Sequence, residues 1–297
     1  MHITVCVCTY RRPDMLRRLL VELGRQSTDG LFTFSVVVAD NDRLESARGT
    51  IEPMVATSPV AMVYCVEPLQ NIALARNRAL AQAKGEFVAF IDDDEFPGPD
   101  WLRTLFQACA AHGVQGVLGP VRPHFEPTPP AWVPKSGLYD RPEHPTGFLL
   151  SWPECRTGNV LIRREILPVD ESVFSPSFPN GGEDQDFFRR MMARGHRFVW
   201  CNEAVVLETV PPIRWNRKVM VRRALLRGQN TLKHTRGMAR VRSLLISFAA
   251  VPLYTLLLPV LAVVGTHLFM RYLIRLCDHL GKLLAAVGLD RVRERAG

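Results

Sequence analysis

Along the first 120 positions the apolar residues follow two rhythms in turn. Continuous apolar runs at 3–8, 34–39, 61–66, 86–91 and 115–118 have strand length and many β-branched members. Between them, "PDMLRRLLVELGRQ" (13–26) and "NIALARNRALAQAK" (71–84) carry apolar residues at helical spacing, and a third such segment starts near Asp100 and Trp101 and reaches about His112. Strand–helix alternation of this kind predicts a parallel, doubly wound α/β sheet. Such sheets bind ligands beyond the carboxyl ends of their strands. Thr9, Asp40, Glu67 and Asp92 fall at or just past strand ends, so polar chemistry is expected along one edge.

The pattern then breaks. Residues 120–147 include Pro120, Pro123, Pro127, Pro129, Pro130, Pro134, Pro142 and Pro145, which predicts a long loop of the kind used as a lid or binding loop. "GNVLIRR" (158–164) reads as a further strand, and "GGEDQDFFRRMMARG" (181–195) as a helix ended by Gly195. Residues 214–242 are basic with interleaved apolar positions, and the uncharged stretch Ser243–Met270 follows directly. Its 28 residues exceed the roughly 20 that cross a bilayer. Pro252 and Pro259 are expected to interrupt it.

Charge sharpens this division. The net charge is +8, but residues from Arg214 onward carry +13, leaving −5 for residues 1–213. A basic rear points to an anionic surface, either headgroups or nucleic acid. The adjoining apolar stretch favours the membrane and leaves no role for nucleic acid. A single crossing would export the basic tail from Arg271 onward, against the usual cytoplasmic bias, so a re-entrant hairpin or an interfacial pair of helices is expected. The seven cysteines show no C-x-x-C spacing and predict a reducing compartment. "MHITVCVCTY" lacks the pattern of a secretion signal, which places the front of the chain in the cytoplasm.

Three motifs carry candidate chemistry. In "FVAFIDDDEFP" an apolar strand ends on Asp92, Asp93, Asp94 and Glu95. Adjacent carboxylates raise one another's pKa unless a cation offsets them. Asp92 and Asp94, two apart in an extended segment, can face one hard cation such as Mg²⁺ or Mn²⁺; a solvated acidic turn is the alternative. In "GGEDQDFF", Asp184 shares a helix face with Phe187 and Phe188, which suits a general base in a pocket; Glu183 and Asp184 could equally be ordinary first-turn acids. In "CTYRRP" and "VVADND", Tyr10 could stack on a base and Asp40 accept from one. "NIALARNRAL" places Arg76 and Arg78 on a helix; Arg76 could reach a diphosphate, and a solvent-facing arginine is the alternative. No dinucleotide fingerprint or P-loop is present.

Taken in order, "VCVCTYRRP", "VVVADND", "NIALARNRAL", "FVAFIDDDEFP", "TGNVLIRR" and "GEDQDFF" resemble the family 2 glycosyltransferases, and are most similar to the bacterial glucosyltransferases of succinoglycan-type exopolysaccharide assembly. The resemblance spans about residues 3–228. It implies a GT-A nucleotide-sugar-binding fold, Rossmann-like with a mostly parallel sheet, and inverting transfer of a sugar, glucose by analogy, from a UDP-sugar. By position, Thr9, Tyr10, Arg11 and Asp40 would hold the nucleotide. Asp92 would sit near the ribose or metal, with Asp93 and Arg76 beside the donor. Asp94 would bind the metal bridging the diphosphate. Asp184 would be the base, with Glu183 as the fallback. Where relatives carry a histidine after the base helix, near the metal, this chain has Glu208.

The expected organisation is a catalytic domain over 1–213 and a helical, membrane-associating region over 214–297. That places the enzyme on the cytoplasmic face of a bacterial inner membrane, with a polyprenyl-diphosphate-linked glycan as acceptor. Arg222, Arg223 and Arg227 would hold the acceptor's diphosphate or the leaving UDP, and Trp152 and Arg156 would contact acceptor sugars. A nucleotidyltransferase and a non-catalytic nucleotide-sugar-binding membrane scaffold are the competing readings.

Overall fold

The structure is a computed structural model; it describes residues 1–289 apart from 170, 180 and 236, so residues 290–297 of the basic tail lie outside the described residues. The predicted apolar runs form β1 (His2–Thr9), β2 (Thr33–Asp40), β3 (Ala61–Val66), β4 (Phe87–Ile91) and, later, β6 (Gly116–Leu118). The helical segments between them become α1 (Pro13–Leu23), α3 (Ile72–Gln82) and α4 (Trp101–His112). A helix α2 (Arg48–Thr57) was not foreseen: Pro53 lies inside it, and its weak apolar periodicity hid it. Asn71 starts α3 by accepting from the backbone N–H groups of Ala73 and Leu74.

These strands build a seven-stranded sheet in the order β3-β2-β1-β4-β8-β6-β9, where β8 is Asn159–Arg163 and β9 is Phe198–Trp200. Neighbours β1–β2, β2–β3, β1–β4 and β6–β9 run parallel. The strand β8, with its apolar centre Val160–Ile162, enters antiparallel between β4 and β6. The sheet is therefore mixed but mostly parallel, as expected. β1 leads to β2 and β3 on one side, and β4 lies on its other side. The strand order thus switches beside β1, where the carboxyl ends open a crevice.

Strand alternation sorts the core into two faces. Val5, Val36 and Ala89 pack with Leu16 and Leu19 of α1 and Leu102 of α4. Cys6, Val37 and Phe90 pack with Ala79 of α3 and with Phe187 and Phe188 of α6 (Glu183–Ala193). The rings of Phe174, Phe187, Phe188 and Phe198 follow one another at centroid distances of 5.0–5.2 Å, which anchors α6 to the sheet. A second sheet of three strands, in the order β5-β10-β7, joins β5 (Glu95–Pro97), β10 (Val206–Thr209) and β7 (Val121–His124).

The chain divides into two compact units, one of residues 1–122 and 141–208 and the other of residues 123–140 and 209–297. The second contains α5 (Trp132–Ser136), α7 (Arg217–His234), α8 (Gly237–Val264) and α9 (Thr266–Ala286). A Cβ on Gly228 would lie 2.0 Å from the Asp278 carbonyl oxygen, and one on Gly281 2.2 Å from that of Leu225, so α7 and α9 meet backbone to backbone. Arg227 of α7 is bonded to Asp278 of α9 at 2.8 Å.

The helix α8 runs unbroken through Pro252 and Pro259, which the sequence reading expected to interrupt it. The break comes instead at Gly265. Ser247 Oγ bonds His279 Nδ1 at 2.9 Å and Tyr254 packs on Tyr272, so α8 and α9 form an antiparallel hairpin. The helix α8 is the one described helix long and apolar enough to cross a membrane, and only 6% of its most apolar window is buried.

Candidate active site

The carboxyl ends of β1, β2 and β4 bring the predicted polar residues together. Thr9 Oγ1 donates to Asp93 at 2.8 Å. After β1 the backbone takes a positive φ of 54° at Arg11, which separates the two arginines. Arg11 turns to Asp42, at 2.9 Å, with its guanidinium 5.0 Å from the Tyr10 ring centre. Arg12, which the sequence reading passed over, bonds Asp93 at 2.9 Å and Asp94 at 3.1 Å. Its signal was its place in "YRRP", one residue before a helix-starting proline.

Asp40 is fully buried. Its carboxylate accepts from the backbone N–H of Asp42 (3.0 Å) and of Ala47 (2.8 Å) and from the Tyr64 hydroxyl (2.9 Å). It shapes the turn after β2. Asn41 ties that turn to the Glu67 and Leu69 carbonyls beyond β3.

Beyond β4 the four acids take different environments. Burial pushes the Asp93 carboxyl up to about 6, against the pull of Arg12. Burial also raises Asp92, with Arg76 opposing and Asp94 and Glu208 adding to the rise. Glu95 is buried and driven well above the usual carboxylate range, first by burial and then by Asp92; its Oε2 accepts from the Asp92 N–H at 3.1 Å and its Oε1 has no partner. A Cβ on Gly158 would stand 2.6 Å from that Oε1 and 3.2 Å from Asp92 Oδ2, so "TGN" needs its glycine where it passes under the acid turn.

A cleft of about 550 Å³ lies along this edge, lined among others by Arg76, Asp92, Arg141, Arg156, Thr157 and Asp184. The two acids that start α6 diverge. Glu183 is buried and forms an ion pair with Arg76, which also lies 3.5 Å from Asp92. Asp184 is half-buried and lines the cleft, its Oδ1 accepting from the Gln185 N–H at 2.7 Å. Arg156 lines the cleft too, while Trp152 lies exposed on the short 3-10 turn Trp152–Glu154.

The expected trio of metal ligands is not drawn together. Asp94 is bonded to Arg12, Asp92 lies beside Arg76, and Glu208 is ion-paired with Arg141. Among the described residues no group of three or more His, Cys, Asp or Glu side chains is arranged to hold a metal. Each carboxylate has instead an arginine as its counter-charge. The donor set itself, Asp92 and Asp94 with Glu208 close enough to raise Asp92, is all hard oxygen and suits Mg²⁺ or Mn²⁺ alongside substrate phosphates.

Residues 4–168 match the family model described as glycosyl transferase family 2. The succinoglycan biosynthesis protein ExoM of Rhizobium meliloti is 38% identical over 233 residues, which cover 77% of this chain and 74% of that protein. Validoxylamine A glucosyltransferase of Streptomyces hygroscopicus is 29% identical over 131 residues, 42% of this chain and 31% of that one. Among solved structures, the mannosyltransferase PcManGT from Pyrobaculum calidifontis, in complex with GDP-Man and Mn²⁺, superposes with a TM-score of 0.64 at 19% identity over 98% of this chain and 88% of its own. TarS 1–349 of S. aureus in complex with UDP gives 0.54 at 17% identity over 99% and 93%. At these identities the two structures speak to the fold alone.

Proposed function

The chain belongs to glycosyl transferase family 2, and from that premise we propose that it transfers a sugar from a UDP-sugar to an acceptor hydroxyl with inversion, Asp184 being the base. It is a glycosyltransferase of polysaccharide biosynthesis, as its relationship to ExoM supports. The observation that carries the assignment is the split between two neighbouring acids. Glu183 is spent on Arg76 inside the protein, and Asp184 is left facing the cleft.

Inversion requires the acceptor oxygen to attack opposite the departing diphosphate. Asp184 and Asp92 both line the cleft, so a sugar between them would have a base on one side and the acid turn on the other. Asp184 takes the acceptor proton as the new bond forms. Arg76, fixed by Glu183, holds its guanidinium beside Asp92 and partly offsets the acid turn where the diphosphate would lie. Asp94 and Asp92 would hold Mg²⁺ or Mn²⁺, with Glu208 assigned as a third contact. When bound, the cation would offset charge growing on the leaving UDP. Thr9, Tyr10 and Arg11 at the end of β1 are assigned to the nucleotide, with Asp40 organising the adjoining turn.

The acceptor is assigned as a polyprenyl-diphosphate-linked glycan, reached from the cytoplasmic face of the inner membrane. The exposed α8 and the basic residues of α7 support membrane seating. Purified protein given a panel of UDP-sugars, Mn²⁺ and lipid-linked or free acceptors tests the whole reading. UDP release and an inverted product on the lipid-linked acceptor are expected. Pyrophosphate release would show a nucleotidyltransferase, and equal use of free oligosaccharide would remove the lipid requirement.

A further inference from the structure

Glu208 stands opposite Glu95 in the β5–β10 ladder, one residue beyond Asp94. Two carboxyl side chains are thus opposed across the ladder, and three further acids adjoin them. One cation placed against them is Arg141, from the proline-rich loop, whose Nη2 is bonded to Glu208 Oε2. Its charge is felt at both Asp92 and Glu95.

Three arginines attend this turn, and they are not equivalent. Arg12 is held between Asp93 and Asp94. Arg76 is buried and committed to Glu183. The Arg141 side chain is 40% exposed, lines the cleft, and touches Glu208 through one nitrogen of a five-donor fork. A guanidinium presented in this way suits a diphosphate, which it can bind in bidentate fashion. Arg156, in the same cleft, donates to the Pro153 and Cys155 carbonyls, and the Cys155 thiol feels both it and Asp184; it belongs to the base end.

We propose that Arg141 binds the donor's diphosphate, parked on Glu208 until the nucleotide sugar arrives and transferring from that carboxylate to the phosphates on binding. This rests on the UDP-sugar reading above and assigns the proline-rich loop a part in it.

Calorimetry on the full chain with UDP and UMP, in EDTA and in Mn²⁺, tests it. In EDTA the wild type should bind UDP about 10- to 100-fold tighter than UMP, the worth of charge-assisted hydrogen bonds to the second phosphate. Arg141→Ala should abolish that ratio while leaving UMP binding unchanged, and Arg141→Lys should keep part of it. Glu208→Gln removes the competing anion and should tighten UDP binding in EDTA. Opposite signs for Arg141→Ala and Glu208→Gln are the signature, because a pair that only braces the loop predicts the same sign for both. An unchanged UDP/UMP ratio in Arg141→Ala, or a shared sign, overturns the proposal while the UDP reading stands. A wild type that binds neither nucleotide in either buffer overturns both.

Discussion

The guanidinium of Arg76 and the carboxylate of Glu183, contributed by α3 and α6 from positions 107 residues apart, form a buried ion pair beside the cleft. The pair gives two adjacent acids different surroundings, Glu183 buried against Arg76 and Asp184 on the cleft. Glu183→Gln removes the buried partner of Arg76 and leaves it Asp92 at 3.5 Å, and a broken buried pair of this kind costs about 3–5 kcal/mol. Asp184→Asn touches no such pair. It should lower transfer by at least about a thousandfold, with UDP binding and melting temperature near wild type, whereas Glu183→Gln should show its main loss in thermal or urea unfolding. Normal transfer by Asp184→Asn would remove the base assignment.

Asp93 predicts a pH signature. Its folded pKa, about 6, lies above the ordinary aspartate value, so between about pH 4 and 6 the folded state holds the proton that the unfolded chain gives up. The contribution of this group to stability is therefore present below pH 4 and falls as pH rises through 6. A shift of about two units corresponds to about 3 kcal/mol. In metal-free buffer the stability difference between wild type and Asp93→Asn should shrink, in the wild type's disfavour, across that window. A difference flat with pH would contradict it.

Divalent cation should act on the same turn. Mn²⁺ with UDP at about 100 times their Kd should stabilise the wild type by about 2.7 kcal/mol, read as a rise in melting temperature. Asp94→Asn should lose the increment due to Mn²⁺ and keep that due to UDP alone. Strong hydrogen-exchange protection of residues 92–95 in metal-free protein would argue against a turn that the cation orders.

The exposed face of α8 makes a prediction for lipid. Leu256 is 77% and Val260 61% exposed. Replacing both with glutamate should lower co-sedimentation with anionic vesicles by at least about tenfold, since each loses apolar burial and gains a charge. Release of UDP in detergent should be unaffected. Equal sedimentation of the variant and the wild type would move the membrane contact elsewhere.

Much of this protein is local, and the sequence by itself determined that part. The strand rhythm, the helical spacing of 71–84, the acids after β4 and the uncharged stretch at 243–270 depend on neighbours in the chain, and the pattern of residues reports such neighbours directly. Tertiary structure decided what depends on distant partners. The antiparallel insertion of β8 was invisible because an apolar run carries no direction. Pro252 and Pro259 suggest breaks because sequence shows the missing N–H but not the surroundings that tolerate it. The pairing of Glu183 with Arg76, the divergence of Arg11 from Arg12, and the ion pair of Glu208 with Arg141 all depend on charges brought together from remote segments. An ion pair has no periodicity, so only the folded chain could reveal which acid faced which arginine.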